Sequence, residues 1–363
     1  MRSSPSLLFL LIVITCSHLW MGCSSSSSNL LRSPPVLVRT EEHLGEYLQV
    51  ESETSLFTVN RTPGSLQGVV RVTLPKQSIE QLDSQAVQAR DLHADGSKLV
   101  YRVDHEIRFY SGSISTLPMK VDRVRSLKWF GDYGRATFDV ENSKESRWVT
   151  LNSSGKILGE GTLEGSPRTH SKDGNQQEIF AVQTAAGFDL LVFSSSPSTA
   201  EMRLIRKIPI DQGSVGIYAD AALFSKEFAL TYFDHNNGVL KMAHCPRNLS
   251  EGNCTTEIVA GTLGQSYIGH DPALFDDGGI AGVCFNDPRN GKAYCARKGA
   301  NSGEWKSQEL PIHGFVGFYN RILKSNERTL HLGMHNFRTS HADRSQTFED
   351  LALLEINLDL LGR

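Results

Sequence analysis

The chain has 363 residues, enough for a large core in one or two domains, and a net charge of −3. That balance gives no electrostatic basis for nucleic acid or an anionic membrane surface as a partner, and nucleic acid is not expected. Hydrophobic residues make up 39% of the chain, and the single run of membrane-like apolarity lies at the N-terminus.

That run, Leu7 to Ile14, follows Met1-Arg2. It is shorter than the roughly 20 residues that cross a bilayer and has the length of a secretory signal's apolar core. Leu19-Trp20-Met21-Gly22-Cys23 comes next, followed by serines from Ser24 to Ser28. Gly22 directly before Cys23, with a polar run behind it, resembles the lipobox of bacterial lipoproteins; Trp20 stands where that family usually has an aliphatic residue. The resemblance implies a signal peptide over 1–22, with Cys23 as an acylated, palmitate-bearing mature N-terminus. Residues 23–35 then form a serine-rich tether, solvated because serine repetition and Pro34-Pro35 leave nothing to bury. It also implies Sec-type export and residence in the cell envelope, the outer membrane ahead of the inner, with the membrane as a partner through the lipid. An ordinary cleaved signal with an incidental Cys23 is the other reading. Sequons at Asn60, Asn152, Asn248 and Asn253 permit a eukaryotic secreted protein.

Beyond the tether, short β-rich runs alternate with Gly, Asn, Asp and Ser turns. Leu56 to Val59 and Val69 to Leu74 read as strands. Ile79, Leu82, Ala86 and Ala89 recur at helical spacing, so Gln77 to Arg90 is the one expected helix. Strand pairs joined by short turns then follow, from Lys98 to Phe193. Such antiparallel neighbours need no helical crossover.

A weak repeat becomes legible in the last third. Val215-Gly216-Ile217-Tyr218, Ile268-Gly269-His270-Asp271 and Val316-Gly317-Phe318-Tyr319 each lead into a second strand, and their glycines stand 53 and 48 residues apart. Repeats of this length built from short strands indicate propeller blades. Unit starts fall near residues 46, 89, 124, 166, 215, 267 and 316. The expected fold is therefore an all-β propeller of four-stranded antiparallel blades over 36–363, seven in number, with six plus an N-terminal extension as the variant. A β-sandwich or two smaller β-domains is the competing architecture. Ala352 to Leu358 reads as a last strand able to pair with the N-terminal region and close the ring.

Four cysteines lie in the repeat region: Cys245, Cys254, Cys284 and Cys295. Export permits disulfides, and local pairing of 245 with 254 and 284 with 295 is the economical arrangement. The pairings 245–284 with 254–295, and 245–295 with 254–284, stay open. The ten-odd spacing does not suit zinc. Asp234-His235-Asn236-Asn237-Gly238 reads as a hairpin turn ahead of a calcium loop, because no acidic residue follows at the distal ligand position. Asp276-Asp277-Gly278-Gly279 carries the same reading. His331 and His335 are four apart on an expected strand and share a face, as ring-lining polar residues in preference to metal ligands. Arg338, His341, Asp343 and Arg344 read as a solvated polar loop. No metal or other cofactor is expected.

At 215–298, Tyr232-Phe233-Asp234, Asn237-Gly238 and Leu240 to Cys245 resemble repeats of exported bacterial β-propeller proteins. In such proteins the repeat is scaffold. The full Asp-box of sialidase-type propellers is missing, since Ser171-Lys172-Asp173-Gly174 has only its start. No Gly-x-Ser-x-Gly elbow, His-Glu-x-x-His pair or phosphate-binding Gly loop occurs, and no catalytic residue is assigned. The expected role is a binding or assembly scaffold at the bacterial cell envelope, with an envelope protein or glycan as partner. The alternative is an envelope enzyme, a glycan hydrolase or lyase, with its site in the propeller channel.

Overall fold

Alternating turns and strands with no crossover helix leave hairpin stacking as the way to bury apolar faces, and the structure is built that way. A computed structural model describes residues 30–38, 44–62, 66–74, 76–143, 145–195, 201–299, 303–312, 314–326, 328–339 and 347–361. The signal peptide, Cys23 and the loop residues His341, Asp343 and Arg344 lie outside the described residues. No helix occurs among the described residues.

β1 (Val36–Val38) stands apart from its neighbours in sequence. Blade 1 follows with β2 (Leu44–Ser52), β3 (Ser55–Asn60), β4 (Gly68–Thr73) and β5 (Ser78–Asp83). Blade 2 holds β6 (Arg90–Asp95), β7 (Lys98–Val103), β8 (Glu106–Tyr110) and the first half of the 17-residue β9 (Ile114–Phe130). The second half of β9 opens blade 3, with β10 (Tyr133–Val140), β11 (Ser146–Asn152) and β12 (Ile157–Leu163). Blade 4 is β13 (Ser166–Lys172), β14 (Glu178–Gln183), β15 (Gly187–Ser195) and β16 (Met202–Gln212). Blade 5 is β17 (Val215–Leu223), β18 (Phe228–Asp234), β19 (Val239–Cys245) and β20 (Thr255–Ala260). Blade 6 is β21 (His270–Asp277), β22 (Ile280–Asp287), β23 (Lys292–Lys298) and β24 (Trp305–Glu309). Blade 7 is β25 (Phe315–Ser325), β26 (Thr329–Thr339) and β27 (Thr347–Asn357), completed on its outer edge by β1.

Among the described residues every strand pairing is antiparallel, in five four-stranded sheets and one seven-stranded sheet that β9 makes of blades 2 and 3. The first strands of the blades touch in a closed circuit, β2–β6–β9–β13–β17–β21–β25 and back to β2. The apolar core gives the same count. It is divided into seven clusters, and each lies between one pair of neighbouring blades. A blade's second strand is thus covered on both faces, which explains why Phe228 to Asp234 is buried at every position. The protein is a seven-bladed β-propeller.

The expected helix over Gln77 to Arg90 is not formed. Ser78–Asp83 is the outer strand of blade 1, paired with β4. Two single turns then follow, Ala86 N–H to the Asp83 carbonyl and Ala89 N–H to the Ala86 carbonyl, which tuck Ala86 and Ala89 into the core between blades 1 and 2. Four apolar residues over so short a stretch fit strand-plus-turn as well as helix, and the free ladder edge of β4 decides it.

The expected boundary at residue 36 also moves. Leu30 is fully buried, Leu31 bridges to Ile356, and the Leu30 carbonyl accepts from Asn357 N–H at 2.8 Å. The apolar Leu30-Leu31 pair packs on blade 7 and Arg32 N–H donates to the Glu355 carbonyl at 2.9 Å, so residues 30–32 are docked where a solvated tether was expected.

Neighbouring blades are stitched by polar groups at their seams. Asp83, at the end of blade 1, accepts from Tyr101 Oη and Arg108 Nη1 of blade 2, both at 2.7 Å. Asp211, at the end of blade 4, accepts from Tyr232 Oη at 3.0 Å and Lys241 Nζ at 2.7 Å of blade 5. Between blades 3 and 4, Arg135 makes a buried two-point ion pair with Glu178, both contacts 3.1 Å. Disulfides join Cys245 to Cys254 and Cys284 to Cys295, inside blades 5 and 6. Closing such short loops contributes about 2–3 kcal/mol each in the chain-entropy picture.

Blades 5 and 6 share a pH-sensitive seam. His244 Nδ1 lies 2.6 Å from Glu227 and Nε2 lies 2.5 Å from Glu257. Lys298 of blade 6 also reaches Glu257 at 2.6 Å, Ala281 N–H donates to Glu227, and Trp305 stacks nearby. Partial burial disfavours the imidazolium, but Glu227 and Glu257 outweigh it and raise the His244 pKa above its ordinary value. The stabilisation is fully present below about pH 6.5, the unfolded value, and is lost as pH rises through the folded one. The melting temperature should therefore fall by a few degrees on moving from pH 6.5 into the alkaline range, for charge-assisted bonds of about 1.5–3 kcal/mol. In His244→Gln this slope should flatten; an unchanged slope in differential scanning calorimetry would locate the titration elsewhere.

Candidate functional site

Each blade's first strand faces the ring axis, and each carries a local irregularity that turns side chains into the channel. Register shifts occur in the first strands of all seven blades, in blade 3 within the second half of β9 around Asp122 and Arg125. Tyr47, Asp91, Asp271 and Tyr319 adopt positive φ there, between 44° and 53°. A left-handed residue in four different blades at the same height is a repeated device for re-aiming the strand, held by the closed ring around it.

The channel is two connected cavities of about 340 and 230 Å³. The residues common to both define its waist, one from each blade: Gln49, His93, Arg125, Arg168, Ala219, Pro272 and Arg321. Blades 7, 1, 2, 3 and 4 supply an arc of Arg321, Gln49, His93, Arg125 and Arg168. Opposite, blades 5 and 6 supply small Ala219 and Pro272, flanked by Asp220 on one side and Asp271 on the other.

The charges on this arc are unequally committed. Arg125 is tied to Asp139 in its own blade through Nε at 2.7 Å. Among the described residues, neither Arg168 nor Arg321 has a carboxylate oxygen within 4.0 Å, and the buried Arg168 Nε has no hydrogen-bond partner. Burial and the nearby Arg125 lower the Arg168 pKa to about 10, so it remains a cation at neutral pH. Burial lowers that of Arg321 too, against the pull of Asp220 and Asp271. His93 is pushed down to about 3 by burial and by Arg321, and is neutral. The carboxylates are occupied or weakened. Asp220 accepts from the N–H groups of Ala221 and Leu274, and Asp91 pairs with Arg102 at 3.0 Å. Burial raises the Asp271 carboxyl to about 6. A chain with net charge −3 thus holds a cationic surplus in its channel.

Beside this mouth, between blades 5 and 6, Tyr218, Phe233, His235, Tyr267 and His270 form a cluster of rings with centroids 4.4–6.4 Å apart. Of the histidines read from sequence, this cluster unites His235 and His270. His331 and His335 share β26 but not a site: His335 is buried against Tyr319, Phe337 and Glu349, while His331 is half-buried opposite Glu355. Both turns read as hairpins join consecutive strands, β18 to β19 and β21 to β22. Asp234 accepts from Asn237 N–H and Nδ2 and pairs with Lys241; Asp276 accepts from Gly279 N–H at 2.6 Å, and Asp277 lies 3.5 Å from Arg297. These oxygens already have partners, which fits a turn.

Sequence reading did not single out the waist arginines. A signal was present for Arg321. With Gln49, Asp220 and Ala273 it stands four residues after a glycine at positive φ, Gly45, Gly216, Gly269 or Gly317, and all four residues line the cavity of about 340 Å³. Arg125 and Arg168 carry no such mark.

These features define a closed seven-bladed propeller with a polar, cation-biased axial channel. No protein-family model matches the chain, and no curated protein matches it. Among solved structures it is similar to the β-propeller domain of Cps50 (Swd1) from Myceliophteria thermophila, with TM-score 0.57 and 12% identity over 88% of this chain and 99% of that one. It is similar to a streptogramin B lyase, with TM-score 0.55 and 10% identity over 88% and 96%. A virginiamycin B lyase from Staphylococcus aureus solved with quinupristin gives 0.54 and 14% over 87% and 97%. At these identities the likeness is one of fold, and a fold shared by such different proteins does not choose among functions.

Proposed function

We propose that the protein is an exported, lipid-anchored β-propeller of the bacterial cell envelope that recognises a partner through its axial channel. The observation that carries this is the waist, where seven blades converge one residue each and leave Arg168 and Arg321 without a salt-bridge partner among the described residues. Polar groups converging in a cavity of this kind are the usual mark of a ligand site. Gly22-Cys23 and the serine run support the anchor.

Two measurements test the reading. Cys23→Ser should abolish lipid incorporation and move the protein from the membrane to the soluble fraction; unchanged membrane retention refutes the anchor. Arg321→Gln should remove the partners that the intact chain captures from envelope extracts, and identical capture by both refutes the channel as the recognition surface.

A second reading, an envelope enzyme acting on glycans, is favoured by one observation. A carboxyl near 6, Asp271, shares the channel with the neutral His93. The Asp271 value lies near enough to neutral for acid–base work, whereas His93 serves only as a neutral hydrogen-bonding group. Turnover of an envelope glycan that Asp271→Asn abolishes would establish it.

A further inference from the structure

The channel wall states what kind of group it lacks. Arg168 and Arg321 project from non-adjacent blades into one cavity, with Arg125 between them in blade order on the same cationic arc. Two half-buried guanidinium groups without salt bridges carry a desolvation cost that a bound anion offsets. Guanidinium presents its donors as a planar fork, which matches the paired oxygens of a carboxylate or a phosphate. Neutral hydrogen-bonding groups share the wall with Asp95, Lys128 and Asp220. Gln49 uses its carbonyl oxygen on Ala94 N–H, which leaves its amide donors for the channel, and the Asn320 Oδ1 is unpartnered. Ser126 and Thr169 line the same space. A cavity of about 340 Å³ lies at the small end of ordinary ligand pockets.

Resting on the channel reading above, we propose that the waist is an oxyanion site for a small, hydroxylated molecule bearing one carboxylate or phosphate. Arg168 and Arg321 grip the anionic group, and Gln49, Thr169 and Asn320 meet the hydroxyls. Asp220 and Asp271 set the charge limit. They stand beside Ala219 and Pro272 and close enough to act on Arg321, so a ligand with a second anionic group would meet carboxylates.

The test is isothermal titration of the full chain in detergent with glucuronate, glucose 6-phosphate and glucose. Saturable binding of glucuronate or glucose 6-phosphate is expected, with glucose at least 10-fold weaker, and the tighter of the two acids identifies the anionic group. Arg168→Gln and Arg321→Gln should each weaken the acid about 10-fold or more, and raising salt should weaken it further. Arg168→Lys keeps the charge but not the fork and should lie between. Circular dichroism confirms that each variant is folded. Equal binding of glucose, no saturable binding of either acid, or unchanged affinity in both Gln variants would overturn the proposal. If the acids fail while Arg321→Gln still loses its envelope partners, the channel reading stands and only the ligand class falls.

Discussion

Replacing Arg135 with Leu is expected to lower folding stability by about 3–5 kcal/mol, more than any other single change considered, because it strands Glu178 as a buried unpaired charge. Both side chains are fully buried between blades 3 and 4. Arg135 also donates to Thr150 and lies over the Trp148 ring at 4.6 Å. His170 stacks on Phe180 and places Nε2 3.4 Å from Glu178. Burial keeps His170 neutral-leaning, with its pKa lowered, so Arg135 is the cation that balances the carboxylate. The double change Arg135→Leu with Glu178→Leu should recover much of the loss, since two apolar side chains leave no orphaned charge. Urea midpoints for the two single variants and the double give the coupling directly; additive losses would show that the pair is not a unit. The same pair sets an acid limit. Burial alone would raise the Glu178 carboxyl, but His170 and Arg135 hold it down at about 2. Its contribution is present above the ordinary carboxylate value and is lost as pH falls through about 2, so Glu178→Gln should flatten acid unfolding in that window.

A chain beginning at Leu44 is expected to lose on the order of 5 kcal/mol, comparable with the whole stability of many domains. The truncation removes Leu30 and Val38, both buried, and the partly buried Leu31 and Leu37. It also removes β1, whose Val36, Leu37 and Val38 pair with Leu353, Ala352 and Leu351. The exposed edge of β27 would then be free to pair with another chain. Light scattering should show oligomers or aggregate, and a peptide of residues 30–38 added in trans should restore the monomer. A truncated monomer with the full-length melting temperature would mean that the ring holds without β1 and the Leu30-Leu31 contact.

Much of this architecture was legible from local chemistry. The expected unit starts at 166 and 215 coincide with the starts of β13 and β17, and 46, 89, 267 and 316 fall within three residues of theirs. Glycine followed by alternating apolar residues and a turn is a short-range signal, and each blade is a short-range object. Cysteine pairing across β22 and β23 followed for the same reason, since Cys284 and Cys295 face each other in register. What failed was non-local. Gln77 to Arg90 could be judged only by knowing that β4 offered an open ladder edge, and Leu30-Leu31 only by knowing that β27 lay beside them. The waist arginines were hidden differently. A lone Arg on an alternating strand is ordinary, and it acquires meaning only when seven strands bring it to one axis.

The 17-residue β9 has a mechanical consequence. A ring of seven independent sheets would have seven seams at which it can widen. Here Ile114 to Lys120 pairs with blade 2 and Val121 to Phe130 pairs with blade 3, so one seam is crossed by a continuous strand laddered on both sides. Breathing is therefore confined to the remaining six seams. Arg123 and Arg125 ride on the stiffened segment, so this part of the wall is the fixed jaw against which the rest of the aperture can move.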